Sequence, residues 1–317
     1  MNLSPKRLRP NDRVAIVAPA SPVLTDEVQC GIDIIRECGL EPVIGPCIKN
    51  LRAYNDHSAS VSNRVEELNW AFSDPKIKAV IGALGGVGSA AVLPYLDYAK
   101  IRAGRKAFLG MSDLTSINSA ILAKSGLISI SGQTPSIRLD KGAKIQECDT
   151  RSFQITLQLM MSDQSWDDRP FDFNPYFPRT VCPGTATGVV VGGNCDTFVH
   201  LYGTQYMPDI TNTIVFIEDV HVGGESLTRE FLQMRLTGAF SQASGIVIGE
   251  FAEVPKNVDP KIPSPEEVLL EFFSQGIPCS YGYSFSHGPL TSPIPIGAEC
   301  SMNAGTGEVL FNFCMSD

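Results

Sequence analysis

The sequence predicts an α/β protein, with an N-terminal parallel sheet flanked by helices and a C-terminal mixed, strand-rich α/β domain. Three observations support this prediction. Short apolar strands alternate with helical patterns over the first half of the chain, which is typical of a parallel sheet covered by helices. A stretch at 163–183, rich in Asp, Pro and aromatic residues, has no periodicity. Beyond it short apolar strands recur, and Pro and Gly interrupt the tail from 278 to 313.

Length and composition support two ordinary globular domains. A chain of 317 residues can bury two cores, and we predict an N-terminal domain at 1–165, a linker at 166–183 and a C-terminal domain at 184–317. The net charge of -9 argues against nucleic acid or an anionic membrane as a partner. We find no signal peptide or membrane span, and the nine cysteines include no C-x-x-C pair. We therefore expect a cytoplasmic protein with reduced thiols.

The first domain is predicted from alternating strand and helix patterns. The helix over 63–72 should bury Val65, Leu68 and Phe72. The predicted strands lie at 12–21 (ended by Pro19), 41–44, 79–84, 106–109 and 127–131, and the predicted helices at 26–39, 63–72, around 92–96 and from Ser112 onward.

The second domain is predicted from three short apolar strands and three helical patterns. The strands lie at 188–194, 213–218 and 245–249, and the helices at 195–203, 225–238 and 265–275.

Ser112 is the candidate nucleophile, because it lies at a sharp turn between the strand 106–109 and a helix. Such a turn lifts a hydroxyl clear of the sheet and directs the first N–H groups of the helix toward the atom under attack. Gly110 gives the turn room, although Leu114 stands where a G-x-S-x-G pattern has its second glycine. In the alternative interpretation, Ser112 only caps the helix and Asp113 complements the helix dipole.

A serine nucleophile needs a base, usually a histidine, and four histidines are available. We expect His57 to be exposed in a polar loop and His200 to be a packed structural residue within a helix. His221 and His287 both follow predicted strand ends, so position alone leaves both as candidate bases.

The carboxylate that orients the base should come from Glu218 or Asp219, at the end of the strand over 213–217. Carboxyl ends of strands are where α/β folds place their active groups. One of two adjacent acids often caps the following turn, so only one of them needs a chemical role.

The glycine-rich segment 85–88 allows two interpretations. Residues 86–91 match G-x-G-x-x-A between a strand and a helix, which would indicate a nicotinamide-dependent oxidoreductase. Alternatively, Gly85 and Gly86 let the backbone approach a reacting carbonyl, so that an N–H group supports an oxyanion. The sequence has no H-E-x-x-H motif, close histidine pair or Cys/His cluster that would predict a metal site.

Taken together, several stretches resemble one family, the LD-carboxypeptidases and their relatives, the microcin self-immunity proteins. Each stretch is short, but their order and spacing along nearly the whole chain are specific. The stretches are 14–21, 85–89, 93–97, 110–115, 192–194, 218–219, 287–288 and 295–297.

The resemblance implies a serine peptidase that needs neither a metal nor another cofactor. It implies Ser112 as the nucleophile, Glu218 as the carboxylate and His287 as the base, and so favours His287 over His221. It also implies that this active site is assembled between the two domains.

The resemblance further implies an oxyanion hole made by backbone N–H groups of Asp113 and of Gly86, with Gly85 approaching the substrate. A cationic side chain should meet the free carboxylate of the substrate, and we assign Arg229 to that role. The chain departs from the family pattern at Val87, at Ser286 and in the loop 221–224. We expect these departures to affect the substrate pocket.

The expected reaction is hydrolysis of the LD-amide bond that releases the terminal D-alanine from murein tetrapeptides, a step of cell-wall recycling. The resemblance also implies a homodimer acting on a small peptide, and the net charge argues against a nucleic-acid or membrane partner. The alternative within the family is an immunity-type serine hydrolase that cleaves a peptidyl or aminoacyl adenylate amide.

Overall fold

The computed structural model of the chain describes residues 2–49, 56–136, 147–166, 178–255, 259, 261–288 and 290–317. Most of the predicted linker, at 167–177, lies outside these residues. The chain divides into two compact units. The first unit consists of Met1–Gln164, Pro293–Gly297 and Cys314–Asp317, and the second of Ser165–Ser292 and Ala298–Phe313.

The first unit contains a six-stranded sheet. Its strand order is β11-β5-β4-β3-β1-β2, in which β1 to β5 are parallel and β11 is antiparallel to β5. The strands are β1 (Arg13–Val17), β2 (Glu41–Ile44), β3 (Ile77–Gly82), β4 (Ala107–Leu109), β5 (Ser129–Ser131) and β11 (Ile294–Ile296).

The strand β11 comes from a segment that the sequence had assigned to the C-terminal domain. Ile294 pairs with Ser131 and Ile296 with Ser129, and both isoleucines are buried. The pattern of a short strand shows that it is apolar, but it does not show which sheet the strand joins.

In the described residues of the first unit, helices surround the strands. The helices are α1 (Thr25–Glu37), α2 (Pro46–Lys49), α3 (Val61–Ser73), α4 (Tyr98–Gly104), α5 (Thr115–Ser125) and α6 (Glu147–Met161), together with 3-10 helices at Ser89–Tyr95 and Ser112–Leu114.

Two details of these helices differ from prediction. The segment around 92–96 forms a 3-10 helix that contains Pro94, and proline is disfavoured in the interior of an α-helix. The buried face of α3 includes Arg64 and Leu68, whereas Val65 is only half-buried. The helix is therefore rotated relative to the predicted apolar stripe, and it carries charged side chains into the interior.

The second unit contains a seven-stranded mixed sheet in the order β13-β12-β7-β8-β9-β10-β6. The four strands β7 to β10 are parallel, and the outer strands pair antiparallel. The strands are β6 (Arg179–Cys182), β7 (Thr185–Asn194), β8 (Thr213–Val220), β9 (Gly245–Ala252), β10 (Cys279–Tyr283), β12 (Glu299–Asn303) and β13 (Glu308–Asn312).

The helices of the second unit pack partly through aromatic side chains, since Phe231 contacts both Phe240 and Phe273 edge-on. The helices are α7 (Cys195–Val199), α8 (Gly224–Leu236), α9 (Ala239–Gln242) and α10 (Pro265–Phe273). The α/β class with a parallel N-terminal sheet and a mixed C-terminal sheet is thus confirmed, with β11 as an antiparallel addition at the edge of the first sheet. Within the described residues, no helix combines the length and apolar character needed to cross a membrane.

Candidate active site

Ser112 has a left-handed backbone conformation, with a φ of 61°. It directly follows Met111, which is extended, and it begins the 3-10 helix that leads into α5. A residue with a Cβ pays on the order of 1–2 kcal/mol for this conformation, and such strain is characteristic of functional sites. The turn that the sequence predicted between β4 and the next helix is therefore sharp, and it leaves Ser112 half-buried.

The glycine loop, residues 85–88, lies against Ser112. A Cβ on Gly85 would stand 2.7 Å from the Ser112 Cβ and 3.1 Å from its Oγ, so this position needs glycine. Gly86 has a φ of +100°, and a Cβ there would collide with the side chain of Ser21. Gly85 therefore lets the backbone approach the Ser112 hydroxyl closely, and Gly86 lets the loop pack against Ser21.

Asp113 ties the serine turn to the end of the glycine loop. Its Oδ2 accepts a hydrogen bond of 2.8 Å from the Ser89 backbone N–H, and its carbonyl accepts one of 2.6 Å from the Ser89 hydroxyl. Burial raises the pKa of Asp113, while the hydrogen bonds from Ser89 and Gly88 and the charge of Arg64 act in the opposite direction. These bonds tie the residue after Ser112 to the end of the glycine loop.

Glu218 and His287 form a buried pair in the second unit. The Nδ1 atom of His287 lies 2.7 Å from the Oε2 atom of Glu218, and the two side chains are only 10% and 4% exposed. A carboxylate can only accept, so Nδ1 donates and Nε2 carries the lone pair of the neutral ring. This tautomer is the one that a general base requires.

Strand geometry explains how Glu218 and His287 meet. Glu218 lies toward the carboxyl end of β8, and His287 follows the end of β10, so both are at the same edge of the parallel strands. Gly249 makes room on β9, because a Cβ there would stand 3.0 Å from the Glu218 Cβ and 3.2 Å from the ring of Phe285. The sheet thus places the Glu218 carboxylate next to the His287 imidazole.

Asp219 has a different environment from its neighbour Glu218. It accepts hydrogen bonds from the Asn194 side chain and from the backbone N–H groups of Asp196 and Val220, at 2.7–3.1 Å. Burial, followed by the charge of Glu218, raises the pKa of Asp219 to about 6. Of the two adjacent acids that the sequence left open, Asp219 orders the ends of β8 and α7, and Glu218 contacts the histidine.

The remaining histidines have other surroundings. His221 is exposed, with a φ of 58°, and its Nε2 lies 3.2 Å from the Oε2 of Glu253. The expectation of a packed His200 is wrong: α7 ends at Val199, and His200 is exposed after the helix. His57, which was expected to be exposed, is half-buried, and its Nδ1 lies 3.2 Å from the Val87 carbonyl oxygen.

Arg229 and the glycine pattern at 86–91 were two further candidate binding features. Arg229, assigned to the substrate carboxylate, lies exposed on α8. The dinucleotide pattern at 86–91 leads into the 3-10 helix Ser89–Tyr95, after the third strand of the unit. It therefore lacks the α-helical N-terminus that binds a pyrophosphate in that motif.

Sequence reasoning missed three charged residues near these sites, namely Arg64, Glu67 and Glu250. Burial raises the pKa of Glu67 to about 7, and its carboxylate accepts hydrogen bonds from the backbone N–H groups of Ala18 and Cys47. Glu250 lies beside the turn after His287, since a Cβ on Gly288 would stand 2.6 Å from its Oε2. For Arg64 and Glu67 the available clue was their position one helical turn before Leu68 and Ala71, on the same face of α3.

A metal could be considered only at one cluster within the described part of the chain. Ligand atoms of the buried residues Cys195, Asp219 and Glu230 lie within 4.8 Å of one another. Burial, then the charge of Asp219, raises the pKa of Glu230 to about 7, and burial raises the pKa of the Cys195 thiol. The raised pKa of Cys195 favours its protonated form near neutral pH, and that of Glu230 favours its protonated form below about pH 7.

Comparison with known proteins identifies the family. A profile of the LD-carboxypeptidase N-terminal domain matches residues 14–132, and a profile of the C-terminal domain matches residues 187–302. The probable murein peptide carboxypeptidase of Bacillus subtilis (strain 168) is 29% identical, over 96% of this chain and 92% of that protein. The microcin C7 self-immunity protein MccF of Escherichia coli is 27% identical, over 90% of this chain and 88% of that protein.

A solved structure has the same fold. MccF in complex with aspartyl sulfamoyl adenosine superposes with a TM-score of 0.84 at 22% identity, over 99% of this chain and 100% of that one. The fold and the matches define a serine-type carboxypeptidase built of two α/β domains. The chain belongs to the LD-carboxypeptidase family, which confirms the resemblance found in the sequence.

Proposed function

We propose that this carboxypeptidase removes the terminal D-alanine from murein tetrapeptides, at the amide bond that follows an L-centre such as that of diaminopimelate or lysine. The name of the relative in Bacillus subtilis supports the murein substrate. The observation that carries the catalytic part is the buried hydrogen bond of 2.7 Å between Glu218 and His287. It holds an imidazole in the tautomer that accepts a proton at Nε2.

In the proposed mechanism, the Ser112 Oγ attacks the scissile carbonyl carbon while its proton passes to His287 Nε2. The carbonyl oxygen becomes an oxyanion, which we assign to the N–H groups of Gly86 and Asp113. The C–N bond then breaks, and His287 returns the proton to the amine of the leaving D-alanine. Water, deprotonated by the same imidazole, hydrolyses the acyl ester and restores Ser112.

Glu218 orients the imidazole and stabilises its charged form during both transfers, as the acid of a catalytic triad does. We assign the carboxylate of the substrate to Arg229, whose guanidinium is exposed and can offer two parallel hydrogen bonds. Ser112, Glu218, His287 and the two backbone donors together form the proposed machinery.

The test is incubation with a murein tetrapeptide, followed by mass analysis for the loss of one alanine. Ser112→Ala should abolish turnover, and Glu218→Gln should lower kcat about 10³- to 10⁴-fold, because an amide favours the wrong imidazole tautomer. Ser119→Ala is the matched control, since the Ser119 hydroxyl is buried on α5 without a hydrogen-bond partner among the described residues. Full activity of Ser112→Ala would refute the mechanism.

An immunity-type activity is the second candidate, in which the same machinery cleaves a peptidyl or aminoacyl adenylate amide. It is supported by the match to MccF and by the likeness to a structure of MccF that holds aspartyl sulfamoyl adenosine. Assaying both substrate classes with the wild-type protein separates the two. Turnover of the adenylate conjugate without release of D-alanine from the tetrapeptide would favour the immunity-type hydrolase.

A cytoplasmic homodimer remains part of this proposal. The family resemblance supports it, and gel filtration with light scattering would measure the mass in solution.

A further inference from the structure

Arg64 is an arginine whose side chain is fully buried in the first unit, on the inner face of α3. Its Nη1 donates one hydrogen bond of 2.7 Å to the Pro19 carbonyl and another of 2.9 Å to the Gly88 carbonyl. Hydrogen bonds from a charged donor are roughly twice as strong as those between neutral groups. One guanidinium nitrogen thus joins two separate stretches of backbone.

Both stretches follow strands of the parallel sheet. Pro19 lies in the loop after β1, and Gly88 ends the glycine loop after β3. Ser21 adds two neutral bonds between these loops: its N–H donates to the Gly85 carbonyl at 3.2 Å, and its Oγ accepts from Val87 N–H at 3.1 Å. Arg64 supplies the charged link, at the far end of the glycine loop.

The glycine loop contacts Ser112 at one end and is bound through Ser89 at the other. Gly85 stands against the Ser112 side chain, and Ser89, the residue after Gly88, bonds twice to Asp113. A displacement of the Gly88 carbonyl therefore moves the loop N–H groups relative to the serine hydroxyl.

We propose that Arg64 is a positioning residue. It holds the glycine loop in the position where the Gly86 N–H can stabilise the oxyanion formed at Ser112. This inference rests on the proposed function. Nothing in it requires Arg64 to touch the substrate, because the side chain is wholly buried.

The cost of this arrangement argues against a purely structural role. Taking a guanidinium out of water is expensive, and an apolar side chain of similar volume often packs at least as favourably. Moreover, Nε and Nη2 of Arg64 are buried without hydrogen-bond partners among the described residues. Two desolvated donors add to the cost of burying the guanidinium at this position.

The experiment compares Arg64→Met and Arg64→Lys with Lys106→Met in the full chain. Lys106 is a matched control, because it is also buried and also donates to two backbone carbonyls, those of Ala71 and Asp74 at 2.9 and 2.6 Å. It precedes β4, whereas Ser112 follows the opposite end of that strand. The control therefore loses a buried cation without touching the glycine loop.

We expect Arg64→Met to lower kcat for the cleaved substrate about 10- to 100-fold with KM changed less than about threefold, because oxyanion donors act mainly in the transition state. Arg64→Lys, which keeps the charge, should recover part of the loss, and Lys106→Met should keep kcat within about threefold. If Arg64→Met does not fold, the comparison rests on Arg64→Lys. An unchanged kcat in a folded Arg64 variant, or an equal loss in Lys106→Met, would overturn the proposal.

Amide hydrogen exchange gives a readout that needs no substrate. Amides of residues 85–89 should exchange at least about tenfold faster in the Arg64 variants than in Lys106→Met. If the wild-type protein cleaves neither substrate class, the proposed function fails, while this measurement still decides whether Arg64 holds the loop. Equal exchange in all three variants would show that it does not.

Discussion

At the scale of single residues, the proposed nucleophile is a serine in a conformation that serine does not favour. Ser112 has a φ of 61°, and its turn is closed by a hydrogen bond of 3.2 Å from Leu114 N–H to the Met111 carbonyl. Gly110 leaves space for the Leu114 side chain, because a Cβ there would stand 2.8 Å from it. The surrounding packing thus holds the hydroxyl in place at the expense of stability.

This strain can be measured. We expect Ser112→Gly to be about 1 kcal/mol more stable than Ser112→Ala, because glycine accepts a positive φ that alanine resists as serine does. Both variants lack the hydroxyl, so the difference isolates the backbone conformation. The free energies of unfolding come from urea denaturation followed by circular dichroism, and equal stability of the two variants would contradict the strained turn.

At the scale of elements, β8, α7 and α8 meet at a cluster of buried acids. Glu230 projects from α8 toward Asp219 at the end of β8 and Cys195 at the start of α7. Burial raises the pKa of Glu230 from 4.5 to about 7. Between these two pH values the folded protein keeps a proton on Glu230 that the unfolded chain has released.

Stability should therefore fall as the pH rises from about 4.5 to about 7, with a slope of up to about 1.4 kcal/mol per pH unit for one group. Glu230→Gln removes this contribution, since glutamine stays neutral. We expect the variant to gain stability relative to the wild type on going from pH 5 to pH 8, measured by urea denaturation at each pH. Glu225→Gln, on the exposed face of the same helix, is the control.

A stability difference between Glu230→Gln and the wild type that is the same at pH 5 and pH 8 would contradict the buried proton. Glu67, whose pKa is also raised to about 7, is present in both proteins, so its contribution cancels in the comparison.

At the scale of the whole molecule, the chain does not complete one unit before starting the other. It leaves the first unit after Gln164 and returns to it at Pro293–Gly297 and Cys314–Asp317. The last of these segments is held by ion pairs from Asp317 to Arg7 and Arg9, at 2.8 and 3.2 Å. Through the pairing of β11 with β5, late residues therefore complete an early sheet.

Substitutions at two buried positions that lie close in the sequence should thus destabilise different sheets. Ile296→Ala, in β11, should cost about 2–4 kcal/mol and raise amide exchange in β4 and β5. Val309→Ala, only thirteen positions later in β13, should raise exchange in β12 and β7 instead. Hydrogen exchange by mass spectrometry distinguishes the two patterns, and the same pattern for both variants would contradict this division of the chain.

Most of the strands and helices were predictable from the sequence, because long apolar periodicities identify secondary-structure elements directly. The sequence also singled out Ser112, through its position between a strand and a helix. It could not choose between His221 and His287 from position, since both follow strands and only the tertiary register of β8 and β10 brings one of them to Glu218. The family resemblance supplied that choice.

Other features depended on information that local patterns do not contain. The charged residues Arg64 and Glu67 were missed because a buried charge interrupts the apolar stripe by which a helix face is recognised. The antiparallel addition of β11 was missed because strand partners are set by distant segments. His200 was misjudged because α7 stops after five residues, where the apolar pattern continued.

The return of β11 to the first sheet also bears on how such proteins can recombine. A chimera that joins the first 165 residues of one relative to the remainder of another would pair β5 from one parent with β11 from the other. A crossover at the apparent domain boundary therefore requires that strands from two parents pair. Exchanging segments 293–297 and 314–317 together with the N-terminal half would keep the first unit from one parent.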